Sequence, residues 1–191
     1  MVELLTEVDR AEALDVLTEA FADHPMMSLG GKTGRLLELL LDTFERSETS
    51  RLFGIRRDGR IVCVSFCVDA DFDPPLRALP AFLLGLLRLL GWRWTIEFTR
   101  TFSRRPRYEE PYLELMLLGT RPDCHGQGCG RSMLRFLYEF AKEQEYHGLI
   151  LQVAKDTPAH RLYLKEGFVL DGEALLHDTC LCHMRRDSVS P

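Results

Sequence analysis

The sequence lacks an excess of positive charge. Its 24 lysines and arginines stand against 29 aspartates and glutamates for a net charge of −5, whereas a general nucleic-acid binder needs a cationic footprint. It also lacks a run long enough to span a bilayer. The longest apolar stretch, residues 78–90, is interrupted by Pro80 and Arg88 and stops short of the roughly 20 residues a membrane helix requires. Glu3 and Glu7 occupy the first residues, with no positive region ahead of an apolar run, so no secretory signal is expected. Nor is there a cysteine framework. Cys63, Cys67, Cys124, Cys129, Cys180 and Cys182 are scattered, which favours free thiols in a reducing compartment. Cys180 and Cys182 invite a metal, with His183 adjacent and His177 nearby, but strand alternation sends His183 to the opposite face and no second pair has zinc spacing. Repeats, low-complexity tracts and linkers are missing too. The expectation is one domain over residues 1–191 in the cytoplasm, with no metal, no nucleic-acid partner and no membrane partner.

What is present is a chain 46% apolar, enough for a proper core. A short strand is expected at residues 3–6, and a helix capped by Asp9 should run to about residue 22. A second amphipathic helix follows at 36–44. Residues 52–55 and 61–68, joined at Asp58-Gly59, read as a hairpin. A helical insertion is expected at about 74–106, and the surrounding segment 71–111 carries Trp92, Trp94, Phe98 and Phe102 among Arg88, Arg93, Arg100, Arg104, Arg105 and Arg107. Six arginines beside four aromatics either hold an anionic or aromatic substrate or form the wet face of helices whose apolar side covers the core; the second reading is preferred, because helical surfaces are usually charged. A strand at 112–118, a helix at 131–144, a strand at 149–153 and a short helix at 158–165 come next, with Gly167 stopping that helix. Segments 168–176 and 179–184, joined at His177-Asp178, look like a closing antiparallel pair.

The densest signal is Gly126-Gln127-Gly128-Cys129-Gly130, lying between a strand and an amphipathic helix. Glycine lets the backbone take positive φ and approach a ligand closely, and the first amides of the next helix have no partners within it. With the positive end of the helix dipole behind them, these groups suit a pyrophosphate. A dinucleotide fingerprint would open the first βαβ unit and place an acid about 20 residues on. Here the loop comes two-thirds along, and the next strand ends in Gln152-Val153-Ala154.

Residues 120–130, Thr-Arg-Pro-Asp-Cys-His-Gly-Gln-Gly-Cys-Gly, and residues 159–168, Ala-His-Arg-Leu-Tyr-Leu-Lys-Glu-Gly-Phe, together resemble two motifs of the GNAT superfamily of acyl-CoA-dependent N-acyltransferases. Residues 20–25 and 111–113 are similar to segments of a branch that includes puromycin N-acetyltransferase. The resemblance implies an α+β fold: a mixed, mostly antiparallel twisted sheet of about seven strands, helices on both faces, and a V-shaped split between two central parallel strands. It implies acetylation of a primary amine, of a small molecule first, with acetyl-CoA as cosubstrate. A protein or peptide amine is the alternative acceptor, and a CoA-binding sensor with little turnover is the alternative role.

The resemblance assigns cofactor contacts to Leu118, Thr120, His125, Gly126, Gln127, Gly128, Cys129, Gly130, Arg131 and Asp156. His125 and Asp156 depart from the usual residues at their positions, and Asp156 reads equally well as an N-cap before Pro158. Glu114 is the first candidate for the base. Alternation puts it on one face with Met116, Leu118 and Thr120, and it stands six residues before Thr120, the register of the glutamate in related histone acetyltransferases. Glu109 and Glu110 are the runners-up. Tyr163 lies where the family has its general-acid tyrosine. The closing strand pair offers an edge for a homodimer.

Overall fold

The computed structural model describes residues 1–22, 24, 31–44, 49–71, 78–103, 106, 108–176 and 178–188. Among them are seven strands, β1 (Val2–Leu4), β2 (Arg51–Arg57), β3 (Arg60–Asp69), β4 (Tyr112–Thr120), β5 (Gly148–Ala154), β6 (Val169–Leu176) and β7 (Thr179–Asp187). Six helices accompany them: α1 (Arg10–Ala20), α2 (Thr33–Phe44), α3 (Leu79–Leu90), α4 (Trp92–Ser103), α5 (Cys129–Glu143) and α6 (Pro158–Lys165). The strands form one open sheet in the order β1-β2-β3-β4-β5-β7-β6. Every pairing is antiparallel except β4 with β5. This is the expected α+β architecture.

Apolar residues on the two sides of the sheet select the two helical layers. Ala13, Val16 and Leu17 of α1 and Leu37 and Leu41 of α2 pack with Val64, Phe66 and Val68 of β3. On the other side Met133, Leu134 and Leu137 of α5 pack with Cys63, Leu113, Leu115, Leu149 and Leu151. The helices α3 and α4 attach outside α2, where Phe82, Leu86 and Phe98 meet Leu36 and Leu40. The β2–β3 hairpin turns at Asp58 and Gly59, with φ of 50° and 79°, the pair of positive values that matches the twist of the strands.

Several sequence expectations shift; α2 begins at Thr33 rather than 36, and β7 runs to Asp187 rather than 184. The first strand is Val2–Leu4 rather than 3–6. Asp9 does not cap α1 with its side chain; it turns back to accept from the backbone N–H and hydroxyl of Thr6, both at 3.0 Å, around a 3-10 turn at Glu7–Asp9. The helix α5 starts at Cys129, two residues early. The expected junction at His177, and Arg104, Arg105 and Arg107 of the insertion, lie outside the described residues.

Candidate functional site

The parallel pair β4–β5 is registered only from Tyr112↔Gly148 to Leu115↔Leu151. Beyond that point β4 continues to Thr120 and β5 to Ala154 without pairing each other. Each is held on its outer side, β4 by β3 and β5 by β7. The result is a V-shaped split in the middle of the sheet.

A β-bulge fixes what the split presents. Opposite Phe66 and Cys67 of β3, the strand β4 carries one extra residue, Met116, so that Leu117 pairs with Phe66 but Leu115 pairs with Cys67. An extra residue reverses the side-chain alternation beyond it. Leu113 and Leu115 therefore belong to the α5-side core, while Leu117, of the same parity, belongs to the α1–α2 side. Glu114, paired with Val68, faces the α1–α2 side with Met116 and Leu117. Leu118 packs on the α5 side, where the Thr120 hydroxyl donates to Cys63 Sγ at 3.3 Å. The expectation that Glu114 shares a face with Leu118 and Thr120 is thus corrected: strict alternation does not survive the bulge.

The same bulge turns the backbone. Arg121 N–H donates to Val62 C=O of β3 at 2.9 Å, and strand amides alternate in direction. Hence Leu118 and Thr120 direct their N–H and C=O groups away from β3, into the split. At the other end Tyr112 C=O accepts from Ala70 N–H on the β3 side. Without the extra residue Leu118 would point that way too.

The glycine loop closes one mouth of the split. Pro122–Cys124 forms a 3-10 turn, and Gly126 and Gly128 take φ of 74° and 81°. A β-carbon at either would meet nothing within 4 Å, so both face open space. His125 Nε2 lies 2.8 Å from Thr120 O, bringing the loop back over the end of β4. Gln127 is fastened by its side chain: Oε1 accepts from Arg57 at 2.6 Å and Nε2 donates to Asp123 O at 2.9 Å. Arg60 binds Asp123 at 2.6 Å. The first amides of α5, those of Cys129, Gly130 and Arg131, have no carbonyl one turn earlier within the helix. The Arg131 side chain turns to Glu166 on the way out of α6, at 2.7 Å. The loop therefore offers backbone N–H groups, with its polar side chains committed to holding it in shape. Arg57 and Arg60 escape a motif search because they act from the β2–β3 hairpin; only the fold brings them here.

Glu114 is 6% exposed and Tyr163 7% exposed. The tyrosine belongs to the α5-side core and touches Phe168 with ring centroids 5.6 Å apart. Burial pushes its phenol well above the ordinary value, with the nearby Cys63 and Cys67 adding to the shift. The acid and the phenol thus belong to opposite sides of the sheet. Asp156 sits at the end of β5 with φ of 63°. It is not the N-cap of α6. That place is Thr157, whose hydroxyl accepts from His160 N–H at 3.2 Å and donates to Ala154 O at 2.8 Å. Glu109 and Glu110 are exposed in a bend before β4. Among the described residues no three His, Cys, Asp or Glu side chains gather as a metal site would need.

The family model described as the acetyltransferase (GNAT) family matches residues 17–168. No curated protein matches the sequence. Solved structures do match in fold. The arylalkylamine N-acetyltransferase 2 of Aedes aegypti superposes with a TM-score of 0.77 at 14% identity, over 99% of each chain. The histone acetyltransferase HPA2 and related acetyltransferase of Corynebacterium glutamicum gives 0.71 at 23% identity, over 100% of this chain and 97% of that one. The ribosomal-protein-S18-alanine N-acetyltransferase of Escherichia coli gives 0.63 at 14%, over 100% and 95%.

Proposed function

This chain belongs to the acetyltransferase (GNAT) family, and from that premise we propose that it transfers the acetyl group of acetyl-CoA to a primary amine of a small molecule. The observation that carries the reading is the split between β4 and β5, with bulge-turned amides inside it and a glycine loop at its mouth. In this reading the amides of Gly126 and of Gly128 to Arg131 receive the pyrophosphate, where helix-terminal N–H groups and the helix dipole favour negative charge. Leu118 and Thr120 hold the pantetheine arm as an added strand would be held, His125 borders it, and Asp156 meets it from the β5 arm.

A lysine-like amine, with a pKa of about 10.4, is mostly protonated at neutral pH. Glu114, buried beside the split, takes that proton directly or through water. The amine nitrogen then bonds to the acyl carbon as the carbon–sulfur bond breaks. Charge on the carbonyl oxygen is met by the Leu118 N–H. The phenol of Tyr163, kept protonated by burial, donates to the departing thiolate, and the surplus proton on the acylated nitrogen passes through water to restore the phenol. Because Glu114 and Tyr163 lie on opposite sides of the sheet, amine and thiol approach the split from opposite faces. Holding them in line supplies most of the rate gain.

Two relatives in fold are named for an arylalkylamine and for an alanine of a ribosomal protein, so both acceptor classes belong in the assay. Thiol release from acetyl-CoA is expected with at least one small amine. Glu114→Gln and Tyr163→Phe should each lower kcat by a factor on the order of ten or more, as lost acid–base groups do. CoA binding without turnover on any amine or peptide would favour a sensor role, and absence of binding would end the proposal. The edge strand β6, with Val169, Leu170 and Leu175 exposed, is the place we assign to a homodimer contact, which light scattering reads.

A further inference from the structure

The outer face of the α3–α4 pair is apolar where a charged face was expected. Phe82, Leu86 and Phe98 turn inward against α2. On the opposite side of the same helices Leu83 is 40% exposed, Leu84 46%, Leu87 44%, Trp92 66% and Ile96 41%. These five side chains line a shallow groove of about 420 Å³ between the two helices. Both faces of α3 are thus apolar, which its packing on α2 alone does not require.

The charges around this patch have one dominant sign. Arg88, Arg93 and Arg100 are exposed, and helical spacing places each on the flank of the apolar strip, Arg88 beside Leu84 and Arg93 and Arg100 beside Ile96. Within residues 79–103 the only acid is Glu97, so three arginines against one glutamate leave +2 in a chain of net charge −5. Arginine stems pack along apolar surface while their heads reach outward, and tryptophan favours the water–lipid boundary.

We propose that this face is a docking surface for a lipid bilayer bearing anionic headgroups, entered by Leu84, Leu87, Trp92 and Ile96 and gripped by Arg88, Arg93 and Arg100. The charge pattern chooses the occupant. Two copies meeting through the same patch would bring six arginines together. The strip is also far smaller than the roughly 20–30 residues a side that a stable protein interface uses. An anionic bilayer answers both the apolar strip and its cationic rim. The contact is peripheral, since neither 12-residue helix can span a bilayer, and it revises the expectation of no membrane partner. Vesicle binding does not depend on the acetyl-transfer reading; only the activity control in its test does.

The test is co-sedimentation of the whole chain with vesicles of phosphatidylglycerol and phosphatidylcholine, and with phosphatidylcholine alone. Wild type should pellet with the first and not the second. Each single change among Arg88→Ala, Arg93→Ala and Arg100→Ala should weaken partitioning about fivefold, and added salt should do the same. The pair Leu84→Glu and Leu87→Glu should abolish pelleting while circular dichroism and lipid-free acetyl transfer stay as in wild type. Trp94→Phe leaves Trp92 as the sole tryptophan, whose emission should shift to the blue on vesicles. Equal binding to both vesicle types, or to neither, overturns the proposal. So does a dimer seen by light scattering that the glutamate pair dissolves, or a raised acceptor KM in that variant without lipid, which would assign the groove to a second copy or to substrate.

Discussion

Gly126 and Gly128 show what a single residue contributes. Both take positive φ, and both look into open space. Alanine at 128 would cost about 1 kcal/mol of backbone strain, which in a chain of this size lowers Tm by roughly 3 °C. Its methyl group would also enter the open space that the loop faces. Gly128→Ala should therefore raise the Kd for CoA on the order of tenfold, by calorimetry, while the fold survives. An unchanged Kd would remove the loop from the proposed CoA site. These glycines are legible in sequence because the reason for them is local. The commitments of Gln127 to Arg57 and of Arg131 to Glu166 are not, since the partners stand 70 and 35 residues away in sequence. Asp156 and Thr157 show how narrow the margin can be: Thr157 caps α6 because its hydroxyl reaches His160 N–H, and the aspartate one residue earlier takes a left-handed turn.

At the scale of elements, periodicity located helices and strands well and faces less well. The helices α1, α2 and α5 bury apolar positions at helical spacing, α6 buries Tyr163 while its Leu164 is exposed, and α3 and α4 lie within the segment expected to be helical. What periodicity could not show is the bulge at Met116, which reverses β4 halfway. A bulge depends on the length of the partner strand, and only pairing reveals it. Gly148 is a similar case. It reads as a break between helix and strand, yet a β-carbon there would stand 2.2 Å from Arg186 O, because this one residue pairs with both Tyr112 and Asp187. Gly148→Ala must push β5 away from β7. A loss of about 1–3 kcal/mol is expected from such overpacking, read as a lower urea midpoint at unchanged slope. Since β5 is one arm of the split, kcat should fall with it.

At the scale of the molecule, the split is a consequence of sheet order. The strands β4 and β5 are central, each anchored on its outer side, and they part above Leu115 and Leu151. A ligand that bridges the two arms should stabilise the fold by mass action, about 2.7 kcal/mol at a hundred times its Kd. For a chain this long that raises Tm by about 5–10 °C, and a thermal shift with CoA but not with pantetheine-free adenosine would tie the gain to both arms. Spacings of a few residues and the backbone freedom of glycine made the order of elements and the glycine loop legible in the chain, whereas the α+β class and the place of Tyr163 came through the resemblance to a family. The tertiary structure alone decided which face Glu114 looks into, which amides open into the split, that arginines from a distant hairpin hold the loop, and that the outer face of α3 and α4 is apolar. Those features depend on strand register and on which helix face finds a partner, and neither is set until the chain has packed.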